Sequence, residues 1–227
     1  MPARNVTFCI VARNDKDRLL RLLDLIQPQV GGLIVVDQSS TDGTPAALRA
    51  RGVACVERPV AFMADPDRNF AHELAPTEWV LTFDPDERPT PQFLDDLEAL
   101  TDQDAVDVYL MQCQHWINGI LISDTDRLPR LFRKGYLTYG SRPHVFPEMR
   151  TRPGEFAPRV EILDPAKYAF LHCRTMDGAV QGNAVRNVYG PEVEAVQRNF
   201  LNAAWATIQA HTGEVNEYAI AVAKGDA

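Results

Sequence analysis

No stretch of this 227-residue chain comes near the ~20 consecutive apolar residues of a membrane-spanning helix. Cysteine is scarce: Cys9, Cys55, Cys113 and Cys173 are widely scattered and form no C-x-x-C pair. That spacing excludes a disulfide framework, makes a zinc site unexpected and suits a reducing, cytoplasmic setting. Positive charge is short as well. The 23 Lys and Arg face 31 Asp and Glu, a net −8, so the chain lacks the basic surface with which sequence-independent nucleic-acid binders displace counterions. No nucleic-acid partner is expected. There is no internal repeat, no low-complexity linker, and no secretory apolar stretch after Met1-Pro2-Ala3-Arg4-Asn5. Peripheral contact with the inner face of the cell membrane stays compatible with all of this.

What is present is an ordinary globular composition, 45% apolar and 24% charged, and an alternation of strand and helix signals. Val6 to Ala12 is an apolar run of the kind buried on both faces of a sheet. Leu19, Leu20, Leu22, Leu23 and Ile26 make the stripe of a helix that Asp15 can cap and that Pro28 and Gly31-Gly32 end. Leu33 to Val36 is a second strand closing on Asp37. Thr44 then caps a helix with Pro45 at its first position. Val53 to Val56, a helix over Asp67 to Leu74, and the strand Trp79 to Phe83 follow, then a helix from Pro91 to near Leu100. Strands separated by helices predict parallel β-α-β units, which take ligands outside the carboxyl ends of the strands. Asp37 and Asp84 both lie there.

From Val106 the pattern changes. Val106 to Trp116, Ile120 to Ile122 and Leu128 to Phe132 read as strands, with Asn118-Gly119 as a hairpin turn. Tyr139 to Ala166 reads as long loops, Gly178 to Tyr189 and Glu192 to His211 as helices, and the last few residues as a frayed end. Residues 1–104 are thus expected to be one half of a single domain and 105–227 the other.

Two stretches carry chemistry. Asp84-Pro85-Asp86-Glu87 ends a strand in two carboxylates one residue apart, a pattern that can aim hard oxygen ligands at Mg²⁺ or Mn²⁺. Acidic residues after a strand also form ordinary turns. Asp37 through Thr44 can receive a nucleotide at a helix N-terminus, or serve only as a capped βα turn.

Together with Val6 to Asp15, Arg68-Asn69-Phe70-Ala71 and Glu78 to Glu87, these stretches resemble, in order and spacing, the N-terminal half of family 2 glycosyltransferases of the GT-A fold. The resemblance covers roughly residues 5–100. It implies an α/β, Rossmann-like, mostly parallel sheet flanked by helices, with a smaller mixed region on the acceptor side. It further implies an inverting hexosyl transfer from a nucleotide-sugar donor, a UDP-sugar in the first instance, to a saccharide or lipid-linked acceptor. Asp37 would contact the base, with the backbone of Val11 and Ala12 lining the pocket. Arg68 would approach the base or diphosphate, and Asp84 and Asp86 match the family's D-x-D metal motif. Gln38-Ser39 departs from the Asp-Gly common after the first aspartate.

The second half, with Arg127 to Gly135, His144, Glu148, Leu171-His172 and Tyr189, looks like the bacterial subgroup that includes lipopolysaccharide core glucosyltransferases. His172 is a candidate third metal ligand. Glu148 and Asp177 are candidates for the base, with Asp124 and Asp126 behind them, although Asp177 also suits a helix N-cap. Arg130, Arg133 and Lys134 offer a basic cluster for acceptor phosphates or lipid headgroups. Two rivals remain. A nucleotidyltransferase would need a Gly-rich loop where Ala12-Arg13-Asn14-Asp15 stands, and a non-catalytic sugar-nucleotide or glycan-binding protein could use the same scaffold.

Overall fold

The structure, a computed structural model, describes residues 2–60, 64–140, 146–177, 179 and 191–226, with the backbone alone for 191–197. Its first half alternates strand and helix as the sequence predicts. β1 (Ala3–Ala12), β2 (Val30–Asp37), β3 (Ala54–Glu57) and β4 (Trp79–Leu81) are connected through α1 (Lys16–Ile26), α2 (Thr44–Ala50) and α3 (Asp65–Leu74). The four strands lie parallel in the order β3-β2-β1-β4. Side chains alternate across β1. Phe8 and Ile10 share a core with Leu19, Leu22, Leu23 and Ile26 of α1, while Cys9 and Val11 share another with Ala71 of α3. Covered on both faces, the strand has no reason to alternate apolar and polar residues.

The second half widens the same sheet. β5 (Glu87–Pro89) follows directly, then two short helices, α4 (Pro91–Asp95) and α5 (Leu97–Thr101). β6 (Val108–Ile117) and β7 (Ile120–Arg133) form a long hairpin. It turns at Asn118-Gly119, where φ is 51° and 76°, the left-handed pair that a two-residue hairpin demands. β8 (Leu137–Thr138) and β9 (Glu148–Met149) pair separately. β10 (Val160–Ile162) and β11 (Ala169–Arg174) both join β6 in parallel, and the chain ends in α6 (Pro191–Ala210) and α7 (Glu217–Lys224). Among the described residues the large sheet runs β3-β2-β1-β4-β7-β6-β11-β5, with β10 beside β6. Only β7 and β5 run against their neighbours. The expected α/β, mostly parallel architecture is the one observed.

Several local expectations are corrected. Asp15 makes no side-chain cap to α1. Asp42 does that work instead, its Oδ2 accepting the Lys16 N–H at 2.9 Å while its Oδ1 accepts the Thr44 N–H and hydroxyl. One aspartate therefore caps two helices, and Thr44 is capped rather than capping. Gly31 and Gly32 lie inside β2, and a Cβ on Gly31 would run into the Arg4 carbonyl oxygen. Ile120 to Phe132 is one strand, not two. The end of the chain is helical, with Asn216 accepting the Ala219 N–H as the cap of α7. The helix expected over Gly178 to Tyr189 lies outside the described residues, apart from a first turn in which Ala179 N–H bonds to Thr175 O.

His72 of α3 is buried edge-on to Phe132 and near the Tyr139 ring, and neither of its ring nitrogens has a hydrogen-bond partner. Burial pushes its pKa down to about 3, and the charge of Arg68 adds to the effect. The unfolded ring takes up a proton below ~6.5 while the folded one stays neutral, so stability falls as pH drops from 6.5 towards 3. Between pH 7 and pH 5 the loss from this residue is about 2 kcal/mol. His72→Leu should flatten that part of the urea-unfolding profile. An unchanged loss between the two pH values would contradict this account of His72.

Candidate functional site

The carboxyl ends of β1, β2 and β4 meet along one edge of the sheet. Val11 and Ala12 are buried there, in register with Val36 and Asp37, and the Ala12 carbonyl accepts the Gln38 N–H. Asp37 is fully buried. Its Oδ2 accepts the Ser40 N–H at 2.8 Å, while its Oδ1 has no partner. The two loops beyond are tied together: Asn14 N–H donates to Ser40 Oγ, and Asn14 Oδ1 accepts the Thr41 N–H. Asn14 and Ser39 both hold positive φ, 53° and 54°. Such left-handed non-glycine backbone gathers at ligand-binding edges.

After β4 the chain turns through Asp84-Pro85-Asp86 into β5, and the turn is held from several sides. Thr82 N–H donates to Arg130 O. Glu87 is buried; its Oε2 accepts the Asp84 N–H at 2.9 Å and its Oε1 accepts from Arg130 Nη2 at 2.6 Å. Arg88, also fully buried, donates to the carbonyls of Pro85, Glu87 and Arg18. The two aspartates are presented differently. Asp84 Oδ1 meets Arg68 Nη2 from α3 at 2.5 Å, and the Arg68 guanidinium sits over the Tyr139 ring. Asp86 Oδ2 lies 3.2 Å from Arg174 Nε and 3.3 Å from His172 Nε2, both on β11. That imidazole nitrogen is buried and out of line for a hydrogen bond.

The charges are closely balanced. Burial pushes the Asp84 carboxyl up, but the cations Arg68 and Arg130 outweigh it and leave it below the usual range. Burial pushes the Asp86 carboxyl up, but His172, when protonated, and Arg174 hold it well below its ordinary value. Burial raises Glu87 in spite of Arg130. Asp15, salt-bridged to Arg18, is pushed up to about 6, first by burial and then by the charges of Asp86 and Asp84, against the pull of Arg18. Four carboxyl groups thus converge on this strand end, each matched by an arginine.

Comparison with known proteins identifies the family and the fold. Residues 7–159, more than half of the chain, match the profile described as Glycosyl transferase family 2. The chain belongs to that family. It is 27% identical over 128 residues to an uncharacterized glycosyltransferase of Rickettsia felis, over 56% of this chain and 44% of that one. It is 30% identical over 128 residues to a TPR repeat-containing protein of Synechococcus elongatus, over 56% of this chain and 31% of that one. The chain therefore spans less than half the length of these curated relatives. Among solved structures, S. aureus TarS 1–349 in complex with UDP-GlcNAc matches with a TM-score of 0.53 at 15% identity, over 89% of this chain and 73% of that one. Such a likeness speaks for the fold.

Within this glycosyl transferase family 2 fold, Arg68, Asp84, Asp86 and His172 come together, and Asp37, Val11 and Ala12 line the adjoining strand ends. His172 lies within β11, opposite Glu87, rather than at a strand end. Glu148 is exposed on β9 opposite Thr138. Asp177 is exposed inside the first helical turn after Thr175, so it is not the cap. Among the described residues, no hydrogen bond or ion pair joins either carboxylate to Asp86. His144 and Tyr189 lie outside the described residues. The basic cluster is not a free anion surface: Arg130 is paired inside with Glu87, Arg133 is buried against Asp107 and the Val106 carbonyl, and Lys134 Nζ donates to Ala75 O. A cavity of about 560 Å³ beside Arg133 and Arg152 also contains Thr77 and Glu78. It therefore opens at the opposite end of β4 from the aspartates, and the chemistry is placed by the carboxylates rather than by that cavity. Arg130, Arg174, Asp15 and Tyr139 belong to the site although the motifs did not mark them. Asp15 and Arg130 stood inside the motif stretches, Asp15 read as a helix cap and Arg130 as part of a basic cluster.

Removing one partner of a buried ion pair leaves a stranded charge and costs about 3–5 kcal/mol. Arg130→Met should lose stability on that scale in urea unfolding, and Glu87→Gln combined with Arg130→Met should recover a large share of it. Equal losses in the single and double variants would show that Glu87 does not depend on Arg130.

Proposed function

We propose that the protein moves a sugar, with inversion, from a UDP-sugar to a saccharide or lipid-linked acceptor, using Mg²⁺ or Mn²⁺ held by Asp84, Asp86 and His172. The observation that carries this reading is the donor set at the end of β4. Asp86 Oδ2 and the unpartnered, buried His172 Nε2 stand 3.3 Å apart, next to a second carboxylate. A carboxylate oxygen and an imidazole nitrogen beside a second carboxylate are donors that fit a small divalent ion. When bound, such an ion neutralises charge that develops on the departing diphosphate.

The chain's own residues supply the rest. The unpaired Oδ1 of Asp37 needs a hydrogen-bond donor, and the ring N–H of uracil is one; the backbone of Val11 and Ala12 lies beside it. Arg68, fixed by Asp84 and by the Tyr139 ring, faces the diphosphate. Glu148 is the base we assign to take the proton of the acceptor hydroxyl. It is exposed on the strand paired with Thr138, one residue before Tyr139. Asp177, three residues past Arg174, is the second candidate. Residues 1–104 then form the donor half and 105–227 the acceptor half, working on the cytoplasmic side of the membrane.

Calorimetry of UDP-, GDP- and TDP-sugars with Mn²⁺ or Mg²⁺ tests the proposal. One nucleotide class should bind only with metal. Asp86→Ala should weaken it by more than the roughly 10–100-fold that an outer-shell change costs. No binding of any donor, with or without metal, would leave the non-catalytic scaffold as the better account.

A further inference from the structure

The other face of His172 points into a second cluster. β6 and β11 run parallel with His115 directly across from His172. Cys113 stands two residues before His115, and side chains two apart on a strand share a face. One ligand atom from each of Cys113, His115 and His172 falls within 4.8 Å of the others. Cys113 Sγ is 3.9 Å from His115 Nδ1, and that nitrogen is 3.1 Å from His172 Nδ1. Tetrahedral zinc, with Zn–N of ~2.0–2.1 Å and Zn–S of ~2.3 Å, sets edges of about 3.3 Å between nitrogens and about 3.6 Å from nitrogen to sulfur. The two edges at His115 Nδ1 are within a few tenths of an ångström of that shape, and the third, from Cys113 to His172, closes within 4.8 Å.

Its outer contacts are those of a metal site as well. His115 Nε2 lies 2.8 Å from Asp126 Oδ2, and Asp126 sits on β7 opposite Cys113. A carboxylate only accepts, so Nε2 carries the proton and Nδ1 turns its lone pair inward. The Phe200 ring, 5.9 Å from that of His115, packs beside it. Cys113 is fully buried, and the two imidazoles are largely so. A thiolate sulfur and two imidazole nitrogens select zinc over the hard ions that suit Asp84 and Asp86.

We infer that Cys113 Sγ, His115 Nδ1 and His172 Nδ1 bind Zn²⁺, with Asp126 orienting His115. Binding balances as follows. The Cys113 thiol loses its proton to solvent, the Nδ1 proton of His172 is replaced by one on its Nε2, and one proton leaves for each zinc bound. This site is distinct from the donor-side site but shares a ring with it. A His172 that gives Nδ1 to zinc presents an N–H, not a lone pair, to Asp86. The neutral ring serves one ion at a time.

Cobalt reports on the site without any nucleotide. The full chain, stripped of metal, is titrated with Co²⁺ and followed through the thiolate-to-cobalt charge-transfer band and the visible bands of four-coordinate cobalt. Both should saturate at one equivalent and disappear on adding Zn²⁺. Cys113→Ser should abolish the charge-transfer band, while Cys173→Ser and Asp86→Asn keep it. Persistence in Asp86→Asn separates this site from the donor-side ion, whichever way the donor experiment turns out. Asp126→Asn, a change at an exposed position that leaves the core intact, should raise the cobalt midpoint by roughly 10–100-fold. It keeps the test informative should Cys113→Ser fail to fold. A wild type without the thiolate band, a band that survives Cys113→Ser, or an unmoved midpoint in Asp126→Asn would overturn the assignment.

Discussion

The buried carboxylate of Glu87 is what the geometry of the aspartate turn depends on. One of its oxygens takes the Asp84 N–H and the other takes Arg130, while its backbone pairs with His172 in the sheet. A single residue thus fixes the turn to β7 on one side and to β11 on the other, and places His172 beside Asp86. Arg88 completes the clamp by filling the turn's carbonyls from within. The net stability gained from such a buried pair is small, because desolvation offsets most of the attraction. Its contribution is positional: it holds a turn carrying two carboxylates at the sheet's edge, where Asp84 meets Arg68 and Asp86 meets Arg174.

How much of this could be read from the chain follows from where the constraints come from. β1, β2 and α1 were legible because burial on both faces of a sheet, or on one face of a helix, leaves a continuous or periodic apolar pattern in the residues themselves. β5 was not: Glu-Arg-Pro has no strand character, and it pairs only because β11 arrives antiparallel beside it. β10 is exposed at all three positions and leaves no apolar signal. The caps failed for a similar reason. Asp15 stands at its helix's N-cap and Thr44 is the first residue of its own, but Asp42, brought in by the fold, accepts the leading N–H of both helices.

The site divides along the same line. Asp84, Asp86 and Arg68 were visible because a strand, a turn and a helix carry them at fixed local spacings. Arg130 looked like part of a basic surface patch, since its partner lies 43 residues away and nothing local marks it as buried. Arginine suits that interior position because its charge persists and its planar head can stack on Phe170 while it pairs with Glu87. A buried carboxylate cluster needs such fixed counter-charges at its back, whether or not it holds the proposed cation. Arg68 and Arg130 supply them.

His172 joins this arrangement to the cluster behind it. Asp126 sets the proton of His115 on Nε2, so His115 Nδ1 can only accept at the 3.1 Å contact, and His172 must then donate from its own Nδ1. That leaves the lone pair of His172 on Nε2, the nitrogen that faces Asp86. The chain of contacts Asp126–His115–His172–Asp86 therefore leaves the ring in the tautomer that the proposed donor-side ion requires, set by an exposed carboxylate on β7. Zinc at Cys113 reverses the order, drawing the lone pair to Nδ1 and turning an N–H towards Asp86. Cysteine spacing along the sequence gave no hint of this, because the ligands are gathered by the pairing of β6 with β11 and not by a local motif.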